Sequence, residues 1–220
     1  MTIQYDSSLA VAADGPAARG IYRRGLKRIF DLLAVLLAAP VIVPVVVLLA
    51  LLAALDGGNP FYSQLRIGRG GKSFRMWKLR SMVVGAEAKL EAHLAADPAA
   101  RAEWDRDQKL KQDPRITTAG RILRKSSLDE LPQLWNVVTG DMSLVGPRPM
   151  MPDQRVLYPG SAYYRLRPGI TGPWQVSRRN ESSFADRALF DRDYERDLSL
   201  GTDLRMLVAT VRVVLHATGY

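Results

Sequence analysis

Asp129 and Glu130 stand side by side in KSSLDELPQLWNVVTGDMSLVGPRP, Lys125 to Pro149. Cations bracket them: Arg124 and Lys125 come just before, and Arg148 lies in the Gly-Pro-Arg-Pro that closes the stretch. A carboxylate beside cations and a helix N-terminus stays ionised, and an ionised carboxylate can act as a nucleophile or a divalent-metal ligand. Neighbours on a helix point about 100° apart, so the two would not clamp one atom as a pair. A division of labour fits better, with one attacking and the other tuning it or holding metal. The same residues also admit a purely structural reading. Ser127-Leu128-Asp129-Glu130 matches the S-x-x-E capping box, and acids in a first turn complement the helix dipole. Pro132 then interrupts that turn, a poor choice if stability were the only demand. Leu134 and Trp135 can pin the helix into a core or a bilayer, leaving its N–H groups free for a phosphate.

The rest of the composition narrows the chemistry. There is no cysteine, which removes disulfides, zinc thiolates and thiol nucleophiles, and fits a reducing compartment. The two histidines, His93 and His216, are far apart, so catalysis must lean on carboxylates and cations. Lys plus Arg is 31 against 22 Asp plus Glu, a formal net charge of +9. Such an excess favours an anionic partner: nucleic acid, a lipid headgroup surface or a phosphorylated substrate.

The elements that must position these groups begin with an apolar run. Leu32 to Leu55 holds 24 residues without a charge, long enough to cover a hydrocarbon core of about 30 Å. Pro40 and Pro44 lie in its middle and divide it into arms of roughly 12 and 16 Å, neither of which spans alone. Arg23, Arg24, Lys27 and Arg28 precede the run, and Arg66, Arg69, Lys72, Arg75, Lys78 and Arg80 follow it. Both flanks therefore look cytoplasmic. A re-entrant hairpin meets both observations; a kinked spanning helix is the alternative.

Beyond it, Asn59 to Met82 has two semi-alternating stretches around Gly68-Arg69-Gly70-Gly71, which predicts a β-hairpin. Glu87 to Lys111 reads as a solvated helical region, Thr118 to Arg124 as a short helix, and Phe184 to Arg196 as another. Arg155 to Pro168 reads as mostly loop, and RPGITGPWQV, Arg167 to Val176, as an irregular ordered loop. Leu204, Leu207, Val208, Val211, Val214 and Leu215 recur at helical spacing to the end, on a helix for a membrane surface or a core. The fold class expected is α+β and mostly helical. A proline-broken re-entrant membrane helix, amphipathic interfacial helices and a small β-hairpin would surround a site at the cytosolic face. The divisions are a mobile tail over 1–21, the membrane helix over 22–58, and a catalytic domain at the membrane surface over 59–220.

LRKSSLDELPQLWNVVTGDMSLVGPRP resembles the bacterial sugar transferases that initiate glycoconjugate and exopolysaccharide assembly, the monotopic polyprenyl-phosphate phosphoglycosyl transferases. KRIFDLLAVLLAAP, FYSQLRIGRGGKSFRMWKLRSM, DPRITTAGRILRK, RPGITGPWQVSRRN and LSLGTDLRML resemble the family in the same order, covering roughly residues 22–218. The resemblance implies transfer of a sugar-1-phosphate from a UDP-hexose to polyprenyl (undecaprenyl) phosphate, with release of UMP. It implies a covalent phosphosugar–aspartyl intermediate on Asp129, with Glu130 its partner, both near Mg²⁺. Lys78, Arg80, Arg124 and Arg148 would contact phosphates, and Arg179 would lie near the donor. The bend would fall at Pro40, aided by Pro44, and the protein would sit on the cytoplasmic face of the bacterial inner membrane.

Two positions depart from the family pattern. Ala39 stands where a serine usually precedes the hairpin proline, and Arg178 where a glycine is frequent. The family's larger forms carry extra spanning helices and a soluble domain in front, neither of which is expected here. The sugar is left open, as is the oligomeric state, a homodimer included. Two rivals differ in class. An Asp-x-Asp glycosyl transferase releasing UDP could use Asp105-Arg106-Asp107 or Asp191-Arg192-Asp193, but both motifs lie in charged helical stretches and read as solvated faces. A basic membrane-anchored nucleic-acid binder would leave the Asp-Glu block without a role, so nucleic acid is not an expected partner.

Overall fold

The computed structural model describes residues 20–55, 57–107, 110–177 and 183–215. The tail over 1–19, Arg178, Arg179 and His216 lie outside them.

A short π-helical turn, Tyr22–Leu26, leads into α1, Lys27–Ala54. The sequence predicted two arms, yet α1 runs as one helix through Pro40 and Pro44. Each proline still removes a backbone donor, a loss that apolar helices of membrane proteins tolerate. Most of α1 is exposed and apolar; Asp31, Val35 and Ala50 are its buried residues. Its hydropathy and length suffice to cross a membrane.

Both ends of α1 rest on the same body. At the N-terminal end Lys27 Nζ pairs with Asp203 at 2.6 Å, Arg28 donates to the carbonyls of Val137 and Val138, and Asp31 accepts the Ser143 hydroxyl at 2.7 Å. Val35 joins a core with Phe74, Met76, Val137 and Met142. At the other end Ala50 packs with Leu79 and Leu123, and Arg80 donates to the Ala53 carbonyl at 2.7 Å.

The hairpin is present. β1, Phe61–Ile67, pairs antiparallel with β2, Ser73–Leu79, from Phe61 opposite Leu79 to Ile67 opposite Ser73. Gly70 and Gly71 turn the chain at φ 70° and 77°, values that glycine reaches without steric cost. The charge-dense region becomes two helices, α2, Ala86–Ala96, and α3, Pro98–Asp107. Asp97 separates them and accepts the N–H groups of Ala99 and Ala100, with Pro98 placed where a first helical turn needs no donor. α4, Thr118–Ser126, is N-capped by the Thr117 hydroxyl, which accepts from the Gly120 N–H at 2.8 Å.

α5, Gln133–Thr139, follows Pro132 and is bound to β2 through buried Asn136. The Asn136 amide donates to the Arg75 carbonyl at 2.8 Å and accepts from the Trp77 N–H at 3.1 Å. β3, Ser143–Val145, pairs in parallel with β4, Gly169–Thr171. Residues 167–176, expected as irregular loop, thus supply a strand and then α7, Pro173–Ser177. The chain fits only because Gly146 and Gly169 lack side chains: a Cβ on Gly169 would lie 2.1 Å from the Gly146 nitrogen. Between β3 and β4 the expected loop contains a 3₁₀ turn, Asp153–Leu157, and α6, Ala162–Arg165. α8, Arg187–Arg196, and α9, Leu200–Leu215, complete the described chain.

Candidate active site

Asp129 lies on a single 3₁₀ turn, Leu128–Glu130, between α4 and α5. The capping box expected at Ser127 does not form. Ser127 adopts φ 57° and ends α4, and its side chain caps nothing. The Glu130 and Leu131 N–H groups bond to the Ser127 and Leu128 carbonyls, so they are not offered to a phosphate. What fixes the turn is the reversal at Ser127 before it, Pro132 after it, and Leu128 packed on the Ala50–Leu79–Leu123 core.

Asp129 is buried at 8% exposure. The sequence predicted a carboxylate held ionised by its cations. Burial instead pushes the Asp129 carboxyl above its ordinary range, and the adjacent Glu130 adds to this, while Lys78 and Arg124 pull it back down. Lys78 reaches across from β2 to pair with Glu130 at 2.7 Å. Arg124 donates its Nε to the Ser81 hydroxyl at 2.8 Å, which holds its head near Asp129. Among the described residues Asp129 makes no ion pair within 4 Å.

A cavity of about 430 Å³ opens beside this turn. Lys125, Ser127, Glu130, Arg148 and Gln175 supply its polar part. Leu131, Leu134, Leu144 and Ile170 form apolar walls, together with Ile42 from α1 and Leu207 from α9. Ile42 lies between the two prolines, so α1 itself lines one side. Asp129 is flanked by two lining residues, Leu128 and Glu130.

The structure therefore brings Asp129, Glu130, Lys78, Arg124 and Arg148 to one region. Arg80 goes elsewhere. Its guanidinium is turned to the carbonyls of Ala53, Asn59 and Met82, where it ties the end of α1 to the start of the hairpin. Of the Asp-x-Asp motifs, the Asp107 side chain lies outside what is described, and the other three acids do not come together as a site. Asp105 is exposed. Asp191 is not on a solvated face as expected, but buried and bonded to the Tyr158 hydroxyl at 2.8 Å, whereas Asp193 pairs with Arg196 at the surface. Sequence reading missed Arg66 and Arg187, which lie electrostatically close to Arg148. No local pattern marks them: Arg66 belongs to an alternating strand and Arg187 to a charged helix.

Among the described residues no group of three or more His, Asp or Glu is clustered to hold a metal. Asp129 and Glu130 remain the candidate pair. Mg²⁺ is commonly held by one or two carboxylates, with substrate phosphates and water completing its shell, so this donor set fits that ion. Glu130 would have to share its charge with Lys78.

A buried carboxylate with cations around it thus stands beside a largely apolar cavity that α1 helps to line. Residues 22–217 match the bacterial sugar transferase family, and the chain belongs to it. It is 50% identical over 198 residues to a UDP-galactose-lipid carrier transferase of Erwinia amylovora, covering 89% of this chain and 42% of the relative. It is 46% identical over 202 residues to an undecaprenyl-phosphate galactose phosphotransferase of Salmonella typhimurium, with coverage of 89% and 42%. It is 44% identical over 199 residues to the exopolysaccharide production protein ExoY of Rhizobium meliloti, with coverage of 88% and 87%. The chain thus spans about two fifths of the first two relatives and most of the third.

Proposed function

We propose that this chain transfers a hexose-1-phosphate from a UDP-sugar to polyprenyl phosphate and releases UMP. One observation carries the reading: a single cavity joins the Asp129–Glu130 turn to apolar walls from α1 and α9. A water-soluble donor and a lipid-linked acceptor need such a meeting point at the interface. The relatives' names, a UDP-galactose-lipid carrier transferase and an undecaprenyl-phosphate galactose phosphotransferase, support the same substrate classes.

The steps follow from the groups present. An Asp129 carboxylate oxygen attacks the sugar-linked phosphorus. The bond from that phosphorus to the bridging oxygen breaks, and the electron pair leaves with UMP. A phosphate oxygen of the polyprenyl acceptor then attacks the same phosphorus and frees the carboxylate. Burial serves this reaction: a poorly solvated carboxylate needs less stripping of water before it bonds to phosphorus. Lys78, Arg124 and Arg148 offset the negative charge of the diphosphate. Asp129 and Glu130 would hold Mg²⁺, which when bound neutralises diphosphate oxygens and steadies the departing phosphate.

The re-entrant placement of α1 belongs to the same proposal. Val35 packs with Phe74 and Met76 and Ala50 packs with Leu79, so α1 is held to one body near both ends, and a helix so held does not deliver its end to the far side of a bilayer. Apolar Leu36, Leu37, Val41, Val43, Val47 and Leu48 between them are exposed, as a segment dipped in lipid should be. The catalytic body then lies on the cytoplasmic face of the inner membrane, with tags at both termini reached only from the cytoplasm.

The deciding experiment incubates purified protein with a panel of UDP-sugars, polyprenyl phosphate and Mg²⁺. UMP should accumulate over many turnovers only with both substrates present; with the acceptor withheld, UMP should stop at the amount of enzyme, and a radiolabelled sugar phosphate should remain on the protein in the same amount. UDP as the released nucleotide would overturn the reaction class.

A further inference from the structure

Three arginines converge from separate segments: Arg66 on β1, Arg148 after β3 and Arg187 on α8. The Arg187 guanidinium carbon lies 4.1 Å from the centre of the Trp174 ring and 4.3 Å from that of Phe184. Arg148 lies 5.7 Å from the same Trp174 ring. Among the described residues none of the three makes an ion pair. Arg66 donates from Nη2 to the Gln64 side chain at 2.6 Å, while its Nε is buried without a partner. The Arg187 Nε is likewise buried and unpartnered. Burial and the neighbouring cations lower Arg66, and the same causes bring Arg187 down to about 10.

Folding does not gather like charges and desolvate their donors without compensation. Asp191 acts on Arg187 through space, but among the described residues the two form no ion pair. Asp191 is spent on the Tyr158 hydroxyl, and burial pushes its carboxyl up to about 7. Buried unpaired donors on two guanidinium forks, close to a third arginine that lines the cavity, call for an anion with several oxygens. Trp174 and Phe184 orient the forks by stacking and leave their N–H edges for a ligand. The cluster also reaches the reaction centre, because Arg148 lines the cavity with Glu130 and Arg66 feels the Glu130 charge.

We propose that Arg66, Arg148 and Arg187 form one phosphate-binding site that holds the nucleoside-linked phosphate of the donor, beyond the phosphorus Asp129 attacks. The assignment rests on the transfer reading above, and it adds Arg66 and Arg187 to the machinery. The shared ligand chemistry is a phosphate monoester or diphosphate, which the polyprenyl acceptor also offers, so the test separates the two sources.

Wild-type protein in detergent is treated with phenylglyoxal with and without UMP, and modified arginines are read by mass spectrometry. UMP should slow modification of Arg66, Arg148 and Arg187 together and leave exposed Arg101 on α3 unchanged; unaltered rates at Arg66 and Arg187 overturn the proposal without any variant having to fold. In parallel, UMP affinity is measured by calorimetry. Arg66→Gln and Arg187→Gln should each weaken UMP binding by ~10-fold or more, and Arg187→Lys by less, as expected for loss of charge-assisted bonds from a fork. KM for the UDP-sugar should rise and KM for polyprenyl phosphate stay. The opposite pattern gives the site to the lipid phosphate and overturns the assignment. If Asp129→Asn turned over normally while the arginine effects held, the covalent reading would fall and this site would stand.

Discussion

The root of α1 and the 3₁₀ turn both bury carboxylates, and they treat them differently. At the root of α1, Asp203 is fully buried and takes three donors: the Tyr22 hydroxyl, the Lys27 ammonium and the Tyr194 hydroxyl, each at 2.6 Å. Glu195 is gripped by Arg23 and Arg165, and Asp31 by Ser143 and the Leu144 N–H. Every one of these acids is saturated. At the 3₁₀ turn, Asp129 is nearly as buried yet has no ion pair among the described residues. The contrast separates two uses of a buried acid. A saturated carboxylate fixes how a helix leaves the body. An underserved one is costly to the fold and retains a lone pair for chemistry.

The sharpest way to break this contrast is Asp129→Asn. Transfer should fall by about 10³-fold or more, the scale seen when a nucleophile is removed. Stability should not fall with it. The folded state raises the Asp129 carboxyl, so the unfolded chain releases this proton first as pH rises. The wild-type carboxylate therefore costs stability above its folded pKa and costs nothing below its unfolded pKa. The Asn variant should melt at or above the wild-type temperature at neutral pH, with the gap closing in acid. A variant that melts lower at neutral pH would place Asp129 with the structural acids. Asp203→Ala should do the reverse. Stranding Lys27 and two tyrosine hydroxyls should cost about 3–5 kcal/mol, read by thermal or denaturant unfolding. Each molecule that remains folded should still transfer sugar phosphate.

The two regions were also unequally legible in the sequence. The Asp129–Glu130 turn announces itself through local composition, as does the hairpin through its glycines. The acid network does not. Asp203 and Tyr22 are 181 residues apart, and nothing near either names the other. The same holds for Arg66 and Arg187, which meet only once β1 and α8 have packed. Reading the strand β4 as loop has a different cause. Its glycines and prolines signal breaks, but here they permit the close backbone approach of Gly146 and Gly169. The capping box at Ser127 failed because the end of α4 holds this residue left-handed, and not in the extended backbone that an N-cap serine uses, although a 3₁₀ turn starts right after it.

Lys78 sharpens the comparison from the side of the cations. It reaches the turn from β2, and it pulls Asp129 down while pairing with Glu130. Lys78→Met should slow transfer by about 10²-fold, the scale of removing one preorganised charge donor. Without that cation the Asp129 carboxyl rises further, so the acid limb of the pH–rate profile should move to higher pH. A lowered rate with an unmoved limb would mean that Lys78 serves the substrate alone.

The smallest effect expected is at Ser143. Its hydroxyl donates to Asp31 at 2.7 Å in a buried setting, and the Leu144 N–H is the other donor, at 3.3 Å. Ser143→Ala leaves one oxygen of Asp31 without its better partner. The strand itself should persist, because the backbone register of Ser143 opposite Gly169 needs no side chain. The cost should be about 1–3 kcal/mol of unfolding free energy, that of an unsatisfied buried acceptor. Since Asp31 holds α1 to β3, the loss should be felt first at the membrane helix, as faster amide exchange around residues 28–35 than around Gln133–Thr139. Equal exchange in both segments would mean that Asp31 does not anchor the helix, and that saturation at this root is incidental to how α1 leaves the body.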